Sequence, residues 1–385
     1  MVRFVHLADL HLGKEWYGID RTFDIINCFD QVTDFIKQEK VPLLLIAGDI
    51  FDKKLPSGEA LESFFSRIKS LLEQKVKVVL ITGNHDWNKL HEVFSIIGSS
   101  NPYLRILTRV SRESPVLHLD EPEVQIIPFP YPERGRWEGE VYQSQGPKNV
   151  SAKVSTMFGG HLRRAKSYLN NKLPSILIAH MGVENGLLSS ERILSLADEP
   201  LLSQRDIPSW TTYSAFGHLH RKQKIECDTP SFYAGSLEKL DFSETDDEKG
   251  FFYVEIENNR VKPEYIKIKS SLMYDIEVRS PDKIDSLLTS YPDIKNAYLK
   301  LTVFLKDSDS LQEVREKVFS MFPKLVNFEP IRLEAESQGL WQPLLSYSNP
   351  LLAFENYLKE KNLEEDFKNT LIVTLKDIIK EIEEK

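Results

Sequence analysis

Short apolar runs, each closed by a cluster of glycine and polar residues, are the feature of this sequence that most limits its fold. The runs are apolar at nearly every position rather than at alternate positions, which predicts strands buried on both faces. Between several of them, apolar residues recur every three or four positions, which predicts amphipathic helices. Strands covered by helices predict an α/β chain with layered sheets. The apolar runs lie at 4–8, 43–47, 76–82, 124–128, 176–179 and 214–216, and the helical patterns at 23–36 and 61–72.

The pattern changes after about residue 268, and we expect a second, smaller unit there. Three strand patterns alternate with two helical patterns, which gives a βαβαβ order. Farther on, apolar residues spaced by four over 363–379 predict an amphipathic helix. We therefore expect a first domain over 1–262, a βαβαβ domain over 268–345 and a helical segment over 350–385. Within the second domain the strands are expected at 272–278, 297–305 and 326–333, and the helices at 282–289 and 310–321.

Charge and cysteine content exclude some classes of protein. The net charge of −9 argues against a chain that holds nucleic acid by bulk positive charge, but it leaves open a local patch, a bound metal or a partner subunit. The 2 cysteines, far apart in sequence, provide no disulfide framework and no CxxC motif. No apolar stretch approaches the length of a membrane span, and the first residues lack the apolar core of a signal peptide. We expect a cytoplasmic protein with no membrane association.

Polar side chains follow five of the predicted strands, at the points where the strands end. In an open α/β sheet, ligands bind at the carboxyl ends of the strands, so we expect these side chains to share one crevice. Carboxylate oxygen, amide oxygen and imidazole nitrogen, without thiolate, suit Mn²⁺, Fe²⁺ or Zn²⁺ in a catalytic site. Seven ligands are too many for one catalytic ion and fit two ions roughly 3.5–4 Å apart, with Asp49 as the bridge. The seven candidate ligands are Asp9, His11, Asp49, Asn84, His180, His218 and His220.

These motifs, in this order, resemble the signature of the calcineurin-like metallophosphoesterases. They are Asp-x-His at 9–11, Gly-Asp-x-x-Asp at 48–52, Gly-Asn-His-Asp at 83–86, a single His180 and Gly-His-x-His at 217–220. Within that superfamily the chain looks most like the SbcD-type DNA-repair nucleases. Three stretches carry this closer similarity: HLADLHLGK (6–14), AGDIFDKKLPS (47–57) and YAGSLEKLDFSETDDEKGFFYVEI (233–256). The last stretch is the most discriminating, because metal binding is not expected to need it.

The resemblance implies an α/β/β/α sandwich with two metal ions, followed by a small α+β capping domain and a C-terminal helical tail. It implies Mn²⁺ as the most suitable metal and Mn²⁺-dependent exonuclease and endonuclease hydrolysis of DNA. It also implies an SbcC-type, SMC-like ATPase as partner, docked on the helical tail, and a homodimer formed through the segment around residues 87–97.

The resemblance also assigns the residues at the site. One ion would take Asp9, His11, Asp49 and His220, and the other would take Asp49, Asn84, His180 and His218. His85 matches a histidine of the family that is not a ligand; it would stabilise charge on the phosphate or protonate the leaving oxygen. Some relatives carry a histidine where this chain has Asp52, and we expect Asp52 to orient His85. Asp86 is expected to support its loop or to orient His85.

DNA contacts are harder to predict from an acidic chain. Trp16 and Tyr17 follow the first metal motif, where they could stack on a base or pack against the helix that begins near Thr22. Lys14 could meet a phosphate or lie at the solvated surface. Lys53 and Lys54 follow the second motif, and we expect them to contact phosphate.

Other functions remain open at this point. A small-molecule phosphodiesterase or nucleotide phosphatase could use the same two-metal scaffold, but it would not require the second domain or the helical tail. A phosphoprotein phosphatase fits less well, because that branch resembles Gly-Asp-x-x-Asp-Arg-Gly and Gly-Asn-His-Glu. A scaffold subunit without activity would be expected to lack a ligand, and all seven are present.

Overall fold

The computed structural model describes residues 1–86, 88–132, 147–186 and 201–332, together with residues 368, 371–372 and 374–375. Most of the segment expected to be helical at 350–385 lies outside the described residues, and the few described positions within it are helical. Among the described helices, none has the length and apolar character needed to cross a bilayer.

The strands and helices follow the apolar patterns of the sequence. In chain order the strands are β1 (Val2–Leu7), β2 (Glu15–Trp16), β3 (Ile19–Asp20), β4 (Leu43–Ala47), β5 (Lys77–Ile81), β6 (Leu104–Leu107), β7 (Leu117–Asp120), β8 (Glu123–Phe129), β9 (Ser175–His180), β10 (Gly182–Val183), β11 (Leu201–Leu202), β12 (Tyr213–Gly217), β13 (Gln223–Ile225), β14 (Ser231–Tyr233), β15 (Gly250–Glu257), β16 (Arg260–Lys267), β17 (Met273–Val278), β18 (Tyr298–Leu305) and β19 (Leu325–Arg332). The helices are α1 (Thr22–Glu39), α2 (Gly58–Glu73), α3 (Asn88–Gly98), α4 (Pro147–Lys166), α5 (Leu287–Ser290) and α6 (Leu311–Met321).

Two mixed sheets form the body of the first unit. The first has the order β16-β15-β1-β4-β5-β6, with β1, β4, β5 and β6 parallel and β15 and β16 antiparallel to their neighbours. The second has the order β13-β14-β12-β9-β8-β7, in which β8, β9, β12 and β14 are parallel. The apolar runs that predicted strands therefore form the parallel centres of both sheets.

The sheets pack face to face, and helices cover their outer faces. Phe4 and Leu45 of the first sheet meet Ile178 and Ala215 of the second in one buried core. On the outer face of the first sheet, α1 and α2 bury residues such as Phe29 and Phe64, while Phe158 and Leu162 of α4 cover the second sheet. This confirms the predicted α/β/β/α sandwich.

The strands β17, β18 and β19 form a separate parallel sheet with its own apolar core. The helix expected over 282–289 is shorter than predicted. A 3-10 turn at Pro281–Lys283 is followed by α5, which is 4 residues long. Tyr291 leaves the helical conformation at φ −131° because it precedes a proline, Pro292, whose ring disfavours helical backbone before it.

A buried arginine joins this third sheet to the sandwich. Arg21, at the start of α1, donates to Asp24 over 2.7 Å and lies over the ring of Tyr298 at 4.3 Å from its centroid. Glu238 accepts hydrogen bonds from the backbone and hydroxyl of Ser271, in the connection to β17. These contacts hold the third sheet beside the short β2–β3 hairpin, directly after the first metal motif.

Candidate metal centre

The predicted ligands come together where the parallel strands end. Asp9 and His11 follow β1, Asp49 follows β4, and His180 ends β9. Asp9, His11 and Asp49 each have a positive φ, between 52° and 53°, in the left-handed region that side chains with a Cβ rarely adopt. Such backbone is retained where function requires it, and here it turns successive side chains into the crevice.

Two glycines allow the loops to approach one another. Gly48 has a φ of +91°, and a Cβ there would collide with the His180 ring. A Cβ at Gly83 would collide with the carboxylate of Asp49. A larger residue at either position would therefore push a predicted ligand out of place.

Asp9, His11 and His220 form the first half-site. Their ligand atoms lie close enough to hold one metal ion. The Nε2 atoms of His11 and His220 are 3.1 Å apart, and all three side chains are buried. Asp9 is fixed from behind, because the backbone N–H of His218 donates to both of its carboxylate oxygens at 3.0 Å.

Asn84, His180 and His218 form the second half-site. The Oδ1 atom of Asn84 lies 3.0 Å from Nε2 of His180 and 3.0 Å from Nδ1 of His218. The ring of Tyr131 stacks on His218 with centroids 6.0 Å apart. An amide oxygen thus faces two imidazoles.

Asp49 lies between the two half-sites. Its Oδ2 atom is 3.6 Å from Nε2 of His11 and 3.3 Å from Nε2 of His180. Its other oxygen, Oδ1, accepts a hydrogen bond from the backbone N–H of His85 at 2.9 Å. A single carboxylate oxygen therefore reaches one histidine of each half-site.

Electrostatics at this carboxylate favour a positive charge. Burial opposes ionisation of Asp49, but His180 and His11 outweigh burial and hold the pKa of Asp49 well below its usual range. Burial would likewise lower the pKa of His180, but the Asp49 carboxylate overcomes burial and raises the pKa of His180 to about 9. The centre therefore favours a cation beside Asp49, whether a proton or a metal ion.

Three histidines point the same ring nitrogen into the centre. Nδ1–H of His180 donates to the carbonyl of Ala47 at 2.7 Å, and Nδ1–H of His11 donates to Asp52 at 3.2 Å. Nδ1 of His220 lies 3.1 Å from Oε1 of Glu244. Because each Nδ1 is bonded outward, each Nε2 keeps its lone pair for a ligand bond. This donor set of carboxylate, amide and imidazole groups fits two divalent ions.

His85 borders the centre and is partly open to solvent. Its side chain is 36 % exposed, and its ring packs edge-on against His11 at 4.7 Å between centroids. Nδ1–H donates to the backbone carbonyl of Asp52 at 2.9 Å. The opposite nitrogen is therefore not engaged by this bond and can exchange a proton with a substrate.

Asp52 contacts His85 differently from the expectation. Its carboxylate accepts from His11 and pairs with Lys14 at 3.4 Å, whereas it is 4.0 Å from Nδ1 of His85. The backbone carbonyl, rather than the carboxylate, orients His85. Burial opposes the ionisation of Asp52, but the hydrogen bond from His11 prevails and lowers the pKa of Asp52.

Asp86 supports its loop. Its carboxylate accepts hydrogen bonds from the backbone N–H groups of Ile50, Phe51 and Gly83, at 2.9–3.1 Å for the shortest contact of each. It thereby ties the loop after β4 to the loop after β5. Of the two roles expected for this residue, the structure shows loop support.

Glu244 is a contact that sequence reasoning missed. It is fully buried, and it lies in the 233–256 stretch that metal binding was not expected to need. That expectation was wrong, because Glu244 accepts from His220, a predicted ligand. The only available signal was an acidic residue within a stretch typical of the family, and a separation of 24 residues has no characteristic spacing.

The residues expected to contact DNA occupy different environments. Trp16 is only 7 % exposed and packs on Phe242 at 4.4 Å between ring centroids, so its ring does not fit the role of stacking on a base. Tyr17 is 59 % exposed. Lys53 is half-exposed and pairs with Glu15 at 3.0 Å, Lys54 is exposed, and Lys14 is mostly buried beside Asp52.

Sequence comparisons with known proteins agree with this geometry. A family model described as calcineurin-like phosphoesterase matches residues 2–222. The chain is 27 % identical over 324 residues to the SbcD component of the nuclease SbcCD from Staphylococcus epidermidis, covering 82 % of this chain and 83 % of that protein. It is 25 % identical over 364 residues to the DNA double-strand break repair protein Mre11 of Archaeoglobus fulgidus, covering 86 % of this chain and 74 % of that protein. Among solved structures, a dimetal phosphatase from Danio rerio matches with a TM-score of 0.39 and 11 % identity, covering 70 % of this chain and 98 % of that one.

Proposed function

This chain belongs to the calcineurin-like phosphoesterase family, and from that premise we propose that it is an SbcD-type nuclease that hydrolyses DNA phosphodiester bonds with two divalent ions. The position of Asp49, with one oxygen within 3.6 Å of a histidine in each half-site, carries the two-ion part of this proposal. The similarity to relatives named as nucleases carries the choice of DNA as substrate.

Each ion would be held by one half-site and by Asp49. Asp9, His11 and His220 would hold the first ion, and Asn84, His180 and His218 the second. When bound, the ions polarise the phosphate and lower the pKa of the attacking water. Mn²⁺ is our choice of metal, because the seven predicted donors are oxygen and imidazole groups rather than thiolates.

His85 would supply the proton for the leaving oxygen. Its Nδ1–H is bonded to the Asp52 carbonyl, so Nε2 can carry a proton toward the substrate side. Its partial exposure would let a substrate phosphate approach, which is unlike the buried ligand histidines. Tyr17 and Lys54 are exposed near the same motifs and would contact the DNA strand, together with Lys53 if it releases Glu15.

The remaining parts of the chain would serve assembly. We propose that residues 1–262 form the nuclease domain, 268–345 a capping domain and 350–385 a docking segment for an SbcC-type, SMC-like ATPase. The relative from Staphylococcus epidermidis is named as one component of SbcCD, which supports a partner protein here. On α3, Val93 and Ile96 are one turn apart and 50 % and 73 % exposed, which supports self-association through this helix.

The test uses metal-stripped protein with end-labelled duplex DNA, end-labelled single strands and a small phosphodiester dye, each with and without Mn²⁺. Cleavage of DNA that requires Mn²⁺ would support the proposal. Cleavage of the dye with DNA left intact, also after addition of the ATPase partner, would instead identify a small-molecule phosphodiesterase.

A further inference from the structure

Glu244 is the acceptor for one specific nitrogen of His220. Its Oε1 atom lies 3.1 Å from Nδ1 of His220, and the carboxylate is completely buried. The nitrogen on the other side of that ring, Nε2, faces His11 at 3.1 Å inside the first half-site. The state of Nδ1 therefore determines which lone pair the first half-site receives.

The second oxygen of Glu244 accepts from donors that cannot act as acceptors. Oε2 receives the ammonium of Lys249 at 2.6 Å and the backbone N–H of Leu240 at 3.2 Å. The hydroxyl of Ser236 lies 3.3 Å from the same oxygen. Because an ammonium and a backbone N–H only donate, this side of the side chain must always present an oxygen.

The turn that carries Glu244 is fixed from its other side. Glu244 ends a 3-10 turn, Phe242–Glu244, whose first residue packs in a buried cluster with Trp16, Met273 and Tyr298. Met273 and Tyr298 belong to the third sheet. The carboxylate is thus held between a predicted ligand and the contact that joins the third sheet to the sandwich.

We propose that Glu244 is a positioning residue that keeps His220 in the tautomer with hydrogen on Nδ1, so that Nε2 offers its lone pair to the first ion. This inference rests on the proposed two-ion site. It assigns Glu244 to the first half-site alone, because the Nδ1 atom of His180 in the second half-site donates to the carbonyl of Ala47.

The Glu244→Gln variant tests this assignment because it is nearly isosteric and reverses the hydrogen-bond polarity. Lys249 and Leu240 force the amide oxygen of the new side chain toward themselves. The amide NH₂ then faces His220, whose Nδ1 must become an acceptor, so the hydrogen moves to Nε2 and blocks ligation. Ser236→Ala is the matched control, because it removes one contact at Oε2 and leaves the polarity toward His220 unchanged.

The measurement is a calorimetric titration of metal-stripped proteins with Mn²⁺. We expect two ions in the wild type and in Ser236→Ala, and in Glu244→Gln one ion bound as before with the other weakened by about 10–100-fold. Two ions of unchanged affinity in Glu244→Gln would overturn the inference alone. Failure of the wild type to bind two ions would overturn the proposed two-ion site as well.

A second measurement does not depend on the variant being folded. Long-range ¹H–¹⁵N spectra of metal-free wild-type protein report the tautomer of each histidine, and His220→Gln identifies the signals of His220. Under alkaline conditions, where the imidazole is neutral, we expect hydrogen on Nδ1 of His220. Hydrogen on Nε2 would overturn the inference.

Discussion

The backbone N–H of His85 donates a hydrogen bond to Oδ1 of Asp49 over 2.9 Å. The proposed bridge between two metal ions and the proposed proton donor are therefore joined by one short contact. Because Asp49 Oδ2 points toward His11 and His180, movement of the His85 loop would displace the shared ligand. The two residues should nevertheless separate in experiment, since only one of them would bind metal.

Asp49→Asn and His85→Asn should have different effects on metal binding. Asp49→Asn removes the charge shared by both half-sites and should abolish binding of at least one ion together with catalysis. His85→Asn should bind two ions and lower kcat by about 10²–10⁴-fold, the usual contribution of a positioned acid or base. Metal content and single-turnover cleavage rates, measured on the same preparations, check both outcomes. Loss of metal in His85→Asn would contradict its assignment as a residue that is not a ligand.

Asp86→Ala should destabilise the fold rather than act on chemistry alone. The substitution leaves the buried N–H groups of Ile50, Phe51 and Gly83 without their acceptor. We expect the free energy of unfolding to fall by more than about 2 kcal/mol, because each unsatisfied buried donor is costly. Urea denaturation of the metal-free protein measures this change. Asp120→Ala, at an exposed position of β7, is the control and should change stability by no more than about 0.5 kcal/mol.

Trp16 and Tyr17 are adjacent but should affect different properties. Trp16→Ala empties a buried site against Phe242 and should lower the free energy of unfolding by about 3 kcal/mol. Tyr17→Ala should leave stability nearly unchanged and weaken DNA binding by about 1–3 kcal/mol if the ring stacks on a base. Thermal unfolding and DNA-binding titrations of both variants distinguish the two roles. Unchanged DNA affinity in Tyr17→Ala would remove the proposed stacking contact.

His6 should make the metal-free protein sensitive to mild acid. Its ring is buried between Tyr213 and the carbonyl of Phe216, and burial lowers the pKa of His6 from 6.5 to about 3. Between these pH values the unfolded chain binds a proton that the folded chain does not, so this residue lowers stability as pH falls below 6.5. The expected slope is about 1.4 kcal/mol per pH unit.

His6→Gln removes this proton and should flatten the dependence of unfolding free energy on pH over that range. The variant should be less stable than the wild type at neutral pH, because the contacts of the imidazole are lost. His118→Gln, at an exposed position of β7, should keep the wild-type slope. An equal slope in His6→Gln and the wild type would show that His6 is not the responsible group.

The centre could be predicted from the sequence because its side chains follow directly from the ends of apolar strands. Asp9, Asp49 and His180 each follow or end a strand whose burial was already evident in the sequence. The contacts around the centre could not be predicted in this way. The bond between His220 and Glu244, and the packing of Trp16 on Phe242, depend on how distant segments are brought together, which no local period reports.

The role of Asp52 shows the same limit at shorter range. Its place in the Gly-Asp-x-x-Asp motif brought it close to the centre, as expected. Which of its groups would face His85 depended on the turn of the loop, and the backbone carbonyl faces that ring while the carboxylate faces His11. A motif thus predicts proximity better than it predicts which atom makes the contact.

The central claim is that this chain cleaves DNA with two metal ions held across Asp49. The most direct measurement loads metal-stripped protein with increasing amounts of Mn²⁺ and determines, in the same samples, the ions bound per chain and the rate of DNA cleavage. The account predicts two bound ions and cleavage that rises only as the second ion binds. Full cleavage with one ion bound, or two ions bound with DNA and small phosphodiesters both left intact, would contradict it.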